Sequence, residues 1–393
     1  MHKLESNIWK YFLYILTNRR HYITILSIYF LTLPNATVNQ IGLYMGIGNL
    51  AGFLFEIPSG YFADRFGHKR TLILAKIFMI FSTLSFIFIQ NFYGFVLGSA
   101  LISLGFAFTS GTGSAFMHET LEELGRKKEY SKIMSQNAGN VSLISAILII
   151  TLPFFTQISM TLPLMINLGF DIIGLIIAIS FVNVKIHEKI KETNFKSIFQ
   201  IFHDTRKLNF LPFAIFTGAI LGFLVGESSF RNIYLQSLGY PVILVGFVMG
   251  LSRVVWFLVG RYIHLVEDKF TMKQFLLFEM FFFTSYYFLV AYLSNPYVIA
   301  SIFIVVVGYM WGRQQLITNY VLNNHISDKN YKATILSIKE QISYLFQFII
   351  PISIGYIMST YSYKIGYYTL GISLFLILII SYQYIEEVKS VTN

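Results

Sequence analysis

The chain has 393 residues, 55% of them hydrophobic and only 12% charged, a balance too apolar for a soluble protein of this length and suited to a bilayer. The absence of cysteine excludes disulfides, iron–sulfur clusters and thiol catalysis. The formal net charge of +10 sits in short loops between apolar runs. Nucleic acid would need a folded basic surface, so that charge implies no nucleic-acid partner.

A membrane helix needs about 20 predominantly apolar residues. The sequence predicts such spans at 11–34, 40–63, 71–90, 93–118, 131–155, 161–183, 209–234, 241–263, 273–293, 297–322, 333–358 and 364–385. The expected fold is therefore an all-α polytopic membrane protein of twelve transmembrane helices. Its organisation is a six-helix half over 1–183, a linker over 184–208 and a second six-helix half over 209–393. The linker mixes charge with apolar residues at helical spacing (Ile198, Phe199, Ile201, Phe202) and reads as an amphipathic helix along the cytoplasmic interface. The first span is too long for a signal peptide, lacks a small-residue cleavage site and reads as retained.

Orientation follows from the basic loops. Arg65, Lys69 and Arg70 follow span 2; Arg126, Lys127 and Lys128 follow span 4; six Lys and Arg residues follow span 6; Lys269 follows span 8 and Lys329 follows span 10. The opposite loops are nearly bare, Lys364 excepted, so both termini are expected in the cytoplasm of a bacterial inner (plasma) membrane. Asn35-Ala36-Thr37 matches a glycosylation sequon but reads as a helix-ending turn.

Ionisable residues inside a span are costly and form the functional shortlist. Span 1 carries Arg19, Arg20 and His21, one of the arginines being expected to snorkel to the headgroups. Glu56 lies in span 2 and Asp171 near the middle of span 6. Glu227 and Arg231, spaced i, i+4 in span 7, are expected to neutralise one another. Arg253 lies in span 8 and Arg313 in span 10, followed by Gln314. Arg20, Asp171, Arg253, Arg313 and Gln314 are the expected lining of a substrate cavity. Two central arginines against one aspartate give it surplus positive charge, suited to a carboxylate or phosphate. The alternative reading makes Asp171 the partner of an arginine in a pair that glues the halves. Glu279 and Glu340 are reserve candidates with no partner evident in the sequence.

Between spans 2 and 3 stands Gly60-Tyr61-Phe62-Ala63-Asp64-Arg65-Phe66-Gly67-His68-Lys69-Arg70, charge and glycine compressed into a tight turn. The chain also repeats. Gly42, Met45, Gly46, Asp64 and Lys69 fall on Gly246, Met249, Gly250, Asp268 and Lys273, and Gly105 falls on Gly308 one register earlier. A parallel duplication of this kind marks two pseudo-symmetric halves. Together these features resemble the major facilitator superfamily of secondary transporters and its loop G-x-x-x-D-R-x-G-R/K-[K/R], with His68 the one departure. The F-E-I-P-S-G-x-x-A-D-R-x-G run and the Ser110–Ser114 segment look like bacterial proton-driven drug and metabolite exporters.

The resemblance implies alternating access around a midplane site between the halves. It makes Gly60, Asp64, Arg65, Gly67, Lys69, Arg70, Asp268 and Lys273 gate residues. Asp64 would cap the amino terminus of the eleventh helix near Tyr331–Thr334, where an anion meets free N–H groups. Gly60, lacking a side chain, would allow close helix contact. Lys69 and Arg70 would be received by Glu119, Glu122 or Glu123, and Glu56 would bridge to Lys339 at matched depth. Proton coupling is assigned to Glu56, Lys339, Glu119, Glu340 or Glu227.

The sequence has no P-loop, no H-E-x-x-H helix and no G-x-S-x-G, and six of its eight histidines fall near cytoplasmic helix ends. No enzyme, metal site or cofactor is expected, and a proton gradient is the expected driving force. The expected function is proton-coupled export (antiport) of a small amphipathic or anionic metabolite, such as a drug or siderophore, by a monomer. The alternatives are an importer of a small anionic nutrient or metal chelate, and, from another class, a membrane receptor or scaffold that binds without transporting.

Overall fold

The computed structural model describes residues 2–184, 210–263, 269–324 and 332–385. Asp268, Tyr331 and all of the expected linker except Val184 fall outside the described residues. Every regular element described is helical. The α-helices are α1 (His2–Thr17), α2 (Ile23–Leu31), α3 (Val38–Phe66), α4 (His68–Phe88), α5 (Phe92–Thr109), α6 (Thr112–Glu123), α7 (Tyr130–Thr151), α8 (Leu162–Ser180), α9 (Phe210–Gly226), α10 (Ser228–Ser237), α11 (Val245–Tyr262), α12 (Met272–Tyr292), α13 (Pro296–Gly312), α14 (Gln314–Asn324), α15 (Lys332–Thr360) and α16 (Tyr363–Gln383).

Ten of these helices or helix runs are long and apolar enough to cross a membrane, and the α9–α10 pair, bent by 43°, makes eleven. The first expected span falls on the interrupted pair α1–α2, of 16 and 9 residues. Four predicted spans are thus broken helices. The first breaks at 18–22, the fourth at Ser110–Gly111, the seventh at Glu227 and the tenth at Arg313. In three of the four, an ionisable residue stands at the break.

Turn chemistry sets the connections. Asn35, at φ 59°, takes the left-handed conformation that asparagine tolerates. Two residues later Thr37 opens α3 with a reciprocal capping box to Gln40. Gly67, at φ 90°, joins α3 to α4, its N–H closing onto the Ala63 carbonyl. Thr271 and Gln274 repeat the capping box at the start of α12.

The chain forms two compact units, Met1–Lys191 with Pro241–Gly250, and Glu192–Tyr240 with Leu251–Asn393. The first contains an apolar core of Tyr11, Tyr14, Leu72, Phe116, Leu121 and Phe181. Its helices approach through small residues, Gly48 and Gly52 of α3 lying on Ser99 and Ser103 of α5. In the second, Gly218, Gly222 and Gly226 form a stripe on α9 against Ser343, Phe346 and Ile350 of α15, and Gly308 and Gly312 of α13 seat Val255 and Val259 of α11. Association inside lipid depends on such close packing because tails and side chains are equally apolar. The repeat-related Gly105 contacts α4 instead, at Met79 and Ala75, so the two copies use this glycine on different neighbours. Large hydrophobics, among them Phe88, Leu143, Ile176, Phe257 and Ile380, are exposed on the helix surfaces.

A Cβ added at Gly222 would lie 2.3 Å from the Phe346 Cβ and 2.9 Å from the Ser343 carbonyl oxygen, whereas one at Gly169 meets nothing within 4 Å. Gly222→Ala is expected to destabilise the purified protein by about 1–3 kcal/mol, the usual cost of overpacking, and Gly169→Ala to leave it unchanged. Thermal unfolding in detergent measures both.

Candidate functional site

The buried charges are organised around the helix breaks. In the first unit α1 ends at Thr17, leaving terminal carbonyls without helical partners. The Arg20 side chain fills part of that deficit, its Nη2 donating to the Thr17 carbonyl (3.4 Å) and its Nε to the Asn18 carbonyl (3.3 Å). The same guanidinium grips Asp171 of α8 with two bonds, Nη1 to Oδ2 and Nη2 to Oδ1, each 2.6 Å. Parallel charge-assisted bonds of this kind are the strongest protein hydrogen bonds. Thr83 of α4 (3.1 Å) and Asn167 of α8 (3.3 Å) also donate to Oδ2. Lys76 of α4, absent from the sequence-based shortlist, lies fully buried with its Nζ 3.5 Å from Asp171 Oδ1. His21 follows in the break, its N–H donating to Asn167 (3.2 Å) and its Nε2 3.4 Å from Ser145 Oγ.

The second unit holds two pairs. Glu227, at the bend between α9 and α10, contacts Arg231 Nε at 3.1 Å and accepts from the hydroxyls of Tyr286 (2.9 Å) and Tyr367 (3.3 Å). Arg231 Nη2 donates to the Leu224 carbonyl (2.9 Å), again a helix-end acceptor. The expected i, i+4 pair thus forms, but across a break rather than along one helix face. Arg313, at the α13–α14 break, lies with its Nε 3.0 Å from Glu279 of α12. Tyr309 donates to the same carboxylate (3.3 Å), and the guanidinium stacks 5.2 Å from the Phe283 ring. The Arg313–Glu279 contact has ion-pair distance without hydrogen-bond alignment, and among the described residues Arg313 Nη1 and Nη2 have no acceptor.

These contacts correct several expectations. The partner of Asp171 is Arg20, inside the first unit, and not Arg253 or Arg313. Glu279, placed in reserve, neutralises Arg313, which removes one of the two arginines expected to give a cavity surplus positive charge. Of the neighbouring basic residues, Arg20 is buried and Arg19 exposed. Arg253 is half-buried in α11 and Gln314 half-buried at the start of α14. Lys339 Nζ lies 3.3 Å from Glu340, its neighbour in sequence, which gives Glu340 the partner that the sequence did not reveal.

At the loop, Asp64 and Arg65 are exposed and Lys69 is half-buried. Among the described residues, a Cβ on Gly60 meets nothing within 4 Å. Glu119 is engaged by His68 (Nε2 to Oε1, 3.0 Å) rather than by Lys69 or Arg70, and Glu122 by Lys127 at 2.8 Å. The one departure from the loop pattern thus makes the loop's contact with α6. A cavity of about 400 Å³ opens beside it, lined by Arg65–Arg70, Phe116, Glu119, Asn183 and Val184. The cap expected from Asp64 involves Tyr331, outside the described residues, as is Asp268. Lys273 lies in the first turn of α12, its carbonyl accepting from Tyr382 (3.4 Å).

Beyond α6, Arg126 binds Glu129 with two bonds (2.9 and 2.8 Å) and Glu5 with a third (3.0 Å). The guanidinium holds the Glu129 carboxyl below its ordinary range. The contact is fully formed above that range and lost on acidification.

Sequence reasoning missed Lys76, Tyr286, Tyr309 and Tyr367. Lys76 is the sixth residue of its predicted span, where a lysine reads as snorkelling. The tyrosines carry no signal in a chain with 26 of them.

Because removing one member of a buried pair strands the other charge, Glu279→Leu is expected to cost on the order of 3–5 kcal/mol, and Glu279→Leu with Arg313→Leu to recover most of it. Thermal unfolding of the three proteins decides this, and equal loss in the single and double variants would refute the pairing.

The match to known proteins covers most of the chain. Residues 11–338 match the Major Facilitator Superfamily family model. An uncharacterised transporter of Buchnera aphidicola subsp. Schizaphis graminum is 30% identical over 109 residues, 28% of this chain and 27% of the relative; a second, from Buchnera aphidicola subsp. Acyrthosiphon pisum, is 28% identical over 109 residues. The chain thus matches about a quarter of the length of these relatives. Among solved structures, the nucleoside transporter NupG superposes with a TM-score of 0.78 at 12% identity, covering 98% of this chain and 100% of that one. The D-xylose-proton symporter superposes with 0.72 at 13%, covering 99% of each. These likenesses carry the fold, and the family match carries the class: the chain belongs to the Major Facilitator Superfamily.

Proposed function

We propose that this protein is a proton-driven exporter of a small amphipathic or anionic metabolite, of the drug or siderophore kind, working by alternating access as a monomer in a bacterial inner membrane with both termini cytoplasmic. The observation that carries the reading is the placement of buried ionisable groups at three of the four helix breaks. Buried ion pairs are poor glue, since apolar replacements of similar volume are often as stable or more so. Three of them at interruptions of membrane helices support a working role in loading and releasing protons. Glu227, with two tyrosines and one arginine around its carboxylate, is the leading carrier in the second unit, and Glu56, Glu119, Lys339 and Glu340 are secondary ones. Among the described residues Arg313 Nη1 and Nη2 have no acceptor, which supports an anionic group on the substrate. Export is supported by the resemblance of the Phe55–Gly67 run to proton-driven exporters. Import is the second reading, favoured by the likeness to a D-xylose-proton symporter.

In proteoliposomes an imposed pH gradient is expected to drive amphipathic weak acids or a siderophore uphill while protons move the opposite way. Protons moving with the solute would replace export by import, and solute flux indifferent to the gradient would sink proton coupling. For the proposed gate, Asp64→Asn is expected to lower turnover about tenfold or more at matched protein levels and Asp268→Asn to do less, since the second loop keeps fewer of the pattern's residues. Equal damage from both would remove the asymmetry.

A further inference from the structure

We propose that Lys76 is the proton-binding group of the first unit, its amine taking up and releasing the proton while Asp171 stays an ionised carboxylate clamped by Arg20. The proposal rests on the proton-coupled reading above and assigns to an unnoticed lysine a task that sequence patterns give to carboxylates.

The argument starts from acceptors. Asp171 already takes four donors: Arg20 binds both oxygens at 2.6 Å, and Thr83 and Asn167 add two more on Oδ2. Lys76 stands 3.5 Å from Oδ1, outside this set, and among the described residues its Nζ has no hydrogen-bond partner although the residue is fully buried. An ammonium has three donors and no acceptor capacity. Stripped of water and without an acceptor, it is among the costliest groups to hold in a membrane. Two cations also face one carboxylate, so with both charged the cluster carries a surplus positive charge. Arg20 cannot discharge it, because a guanidinium keeps its proton in proteins. Lysine can, and loses its proton readily when buried.

Among the described residues the titratable neighbours are tyrosines, Arg20, His21 and Asp171; Tyr22, fully buried in the α1–α2 break, places its ring 6.3 Å from that of Phe86. From α1, Tyr14 places its ring 5.4 Å from Lys76 Nζ, its own hydroxyl donating to the Leu72 carbonyl (3.0 Å). From the α1–α2 break come Arg20 and, next to it, His21, which faces Asn167 and Ser145. From α8 comes Asp171, and Gly174 on the same helix forms the notch for the lysine head: a Cβ there would lie 2.7 Å from Nζ. The one ionisable residue of α5, Tyr93, is exposed in its first turn. On α6, Glu119 is occupied by His68, two turns before Lys76, and its other ionisable residues are His118, Glu122 and Glu123, of which His118 and Glu122 face each other at 3.9 Å. On α3, the ionisable residues are Tyr44, Glu56, Tyr61, Asp64 and Arg65. Tyr44 packs on Phe30 and Phe95, Glu56 is half-buried, and Tyr61, Asp64 and Arg65 are exposed.

The test is direct. Protein labelled with ¹⁵N at the lysine side chains is studied by NMR in lipid nanodiscs, and the Lys76 resonance is assigned as the one missing from Lys76→Met. At about pH 8, where a solvated lysine is wholly ammonium, Lys76 is expected as a neutral amine that converts to ammonium on acidification. Lys76→Met is expected to melt at or above the wild-type temperature, whereas Arg20→Met, which strands Asp171, melts several degrees lower. Proton movement in vesicles is expected to fall at least tenfold in Lys76→Met. An ammonium resonance that persists at about pH 8, or a Lys76→Met variant as unstable as Arg20→Met, overturns the assignment and makes Lys76 the third member of a fixed charge cluster. Wild-type vesicles that move no protons overturn the proton-coupled reading, a result separable from both.

Discussion

Hydrocarbon offers no hydrogen bonds, so every backbone carbonyl released at a helix break and every charge buried beside it must find a partner within the protein. The structure meets both demands with the same side chains. Arg20 caps the carbonyls of Thr17 and Asn18 while gripping Asp171, and Arg231 caps Leu224 while contacting Glu227. At these two breaks one arginine serves both backbone and acid. The break at Ser110–Gly111 carries no charge, and the acid that meets Arg231 comes from the break itself, whereas Asp171 comes from a neighbouring helix.

The two units satisfy this constraint differently. In the second, each arginine has one acid and each acid has tyrosine hydroxyls as further donors, so formal charge balances around both breaks. In the first, a single aspartate serves an arginine while a lysine waits beside it. Each half thus carries a buried ionisable group on its third span, Lys76 in one and Glu279 in the other, facing an arginine at a break. The two groups differ in kind: a proton makes the lysine cationic, whereas it makes the glutamate neutral.

Small residues make the arrangement sterically possible. Gly174 leaves room for the Lys76 head group beside Thr17, and the glycine stripe of α9 lets α15 approach closely along the helix that ends at Glu227. Gly67 does the equivalent service for the loop, turning the chain at a positive φ so that His68 begins α4 within reach of Glu119. A Cβ at Gly222 would meet the Phe346 Cβ and the Ser343 carbonyl oxygen, which only a shift of α15 could relieve.

The sequence by itself determined the membrane class, the number and approximate limits of the spans, the family loop and the internal repeat, because these depend on local composition and on spacing along one chain. It also exposed Arg20, Asp171, Glu227, Arg231 and Arg313 as groups that hydrocarbon would not leave alone. Only the tertiary structure decided their partners. Asp171 is 151 residues from Arg20, and Glu279 is 34 from Arg313 with no helical spacing to join them. Lys76, close to a span end in sequence, is carried into the buried cluster by the packing of α4 on α8, a matter of helix rotation that hydropathy does not encode. The helix breaks were equally hidden, since an apolar run reads as continuous whether or not its backbone bonds are, and whether a charge can stand at an interruption depends on what the neighbouring helices bring to meet it.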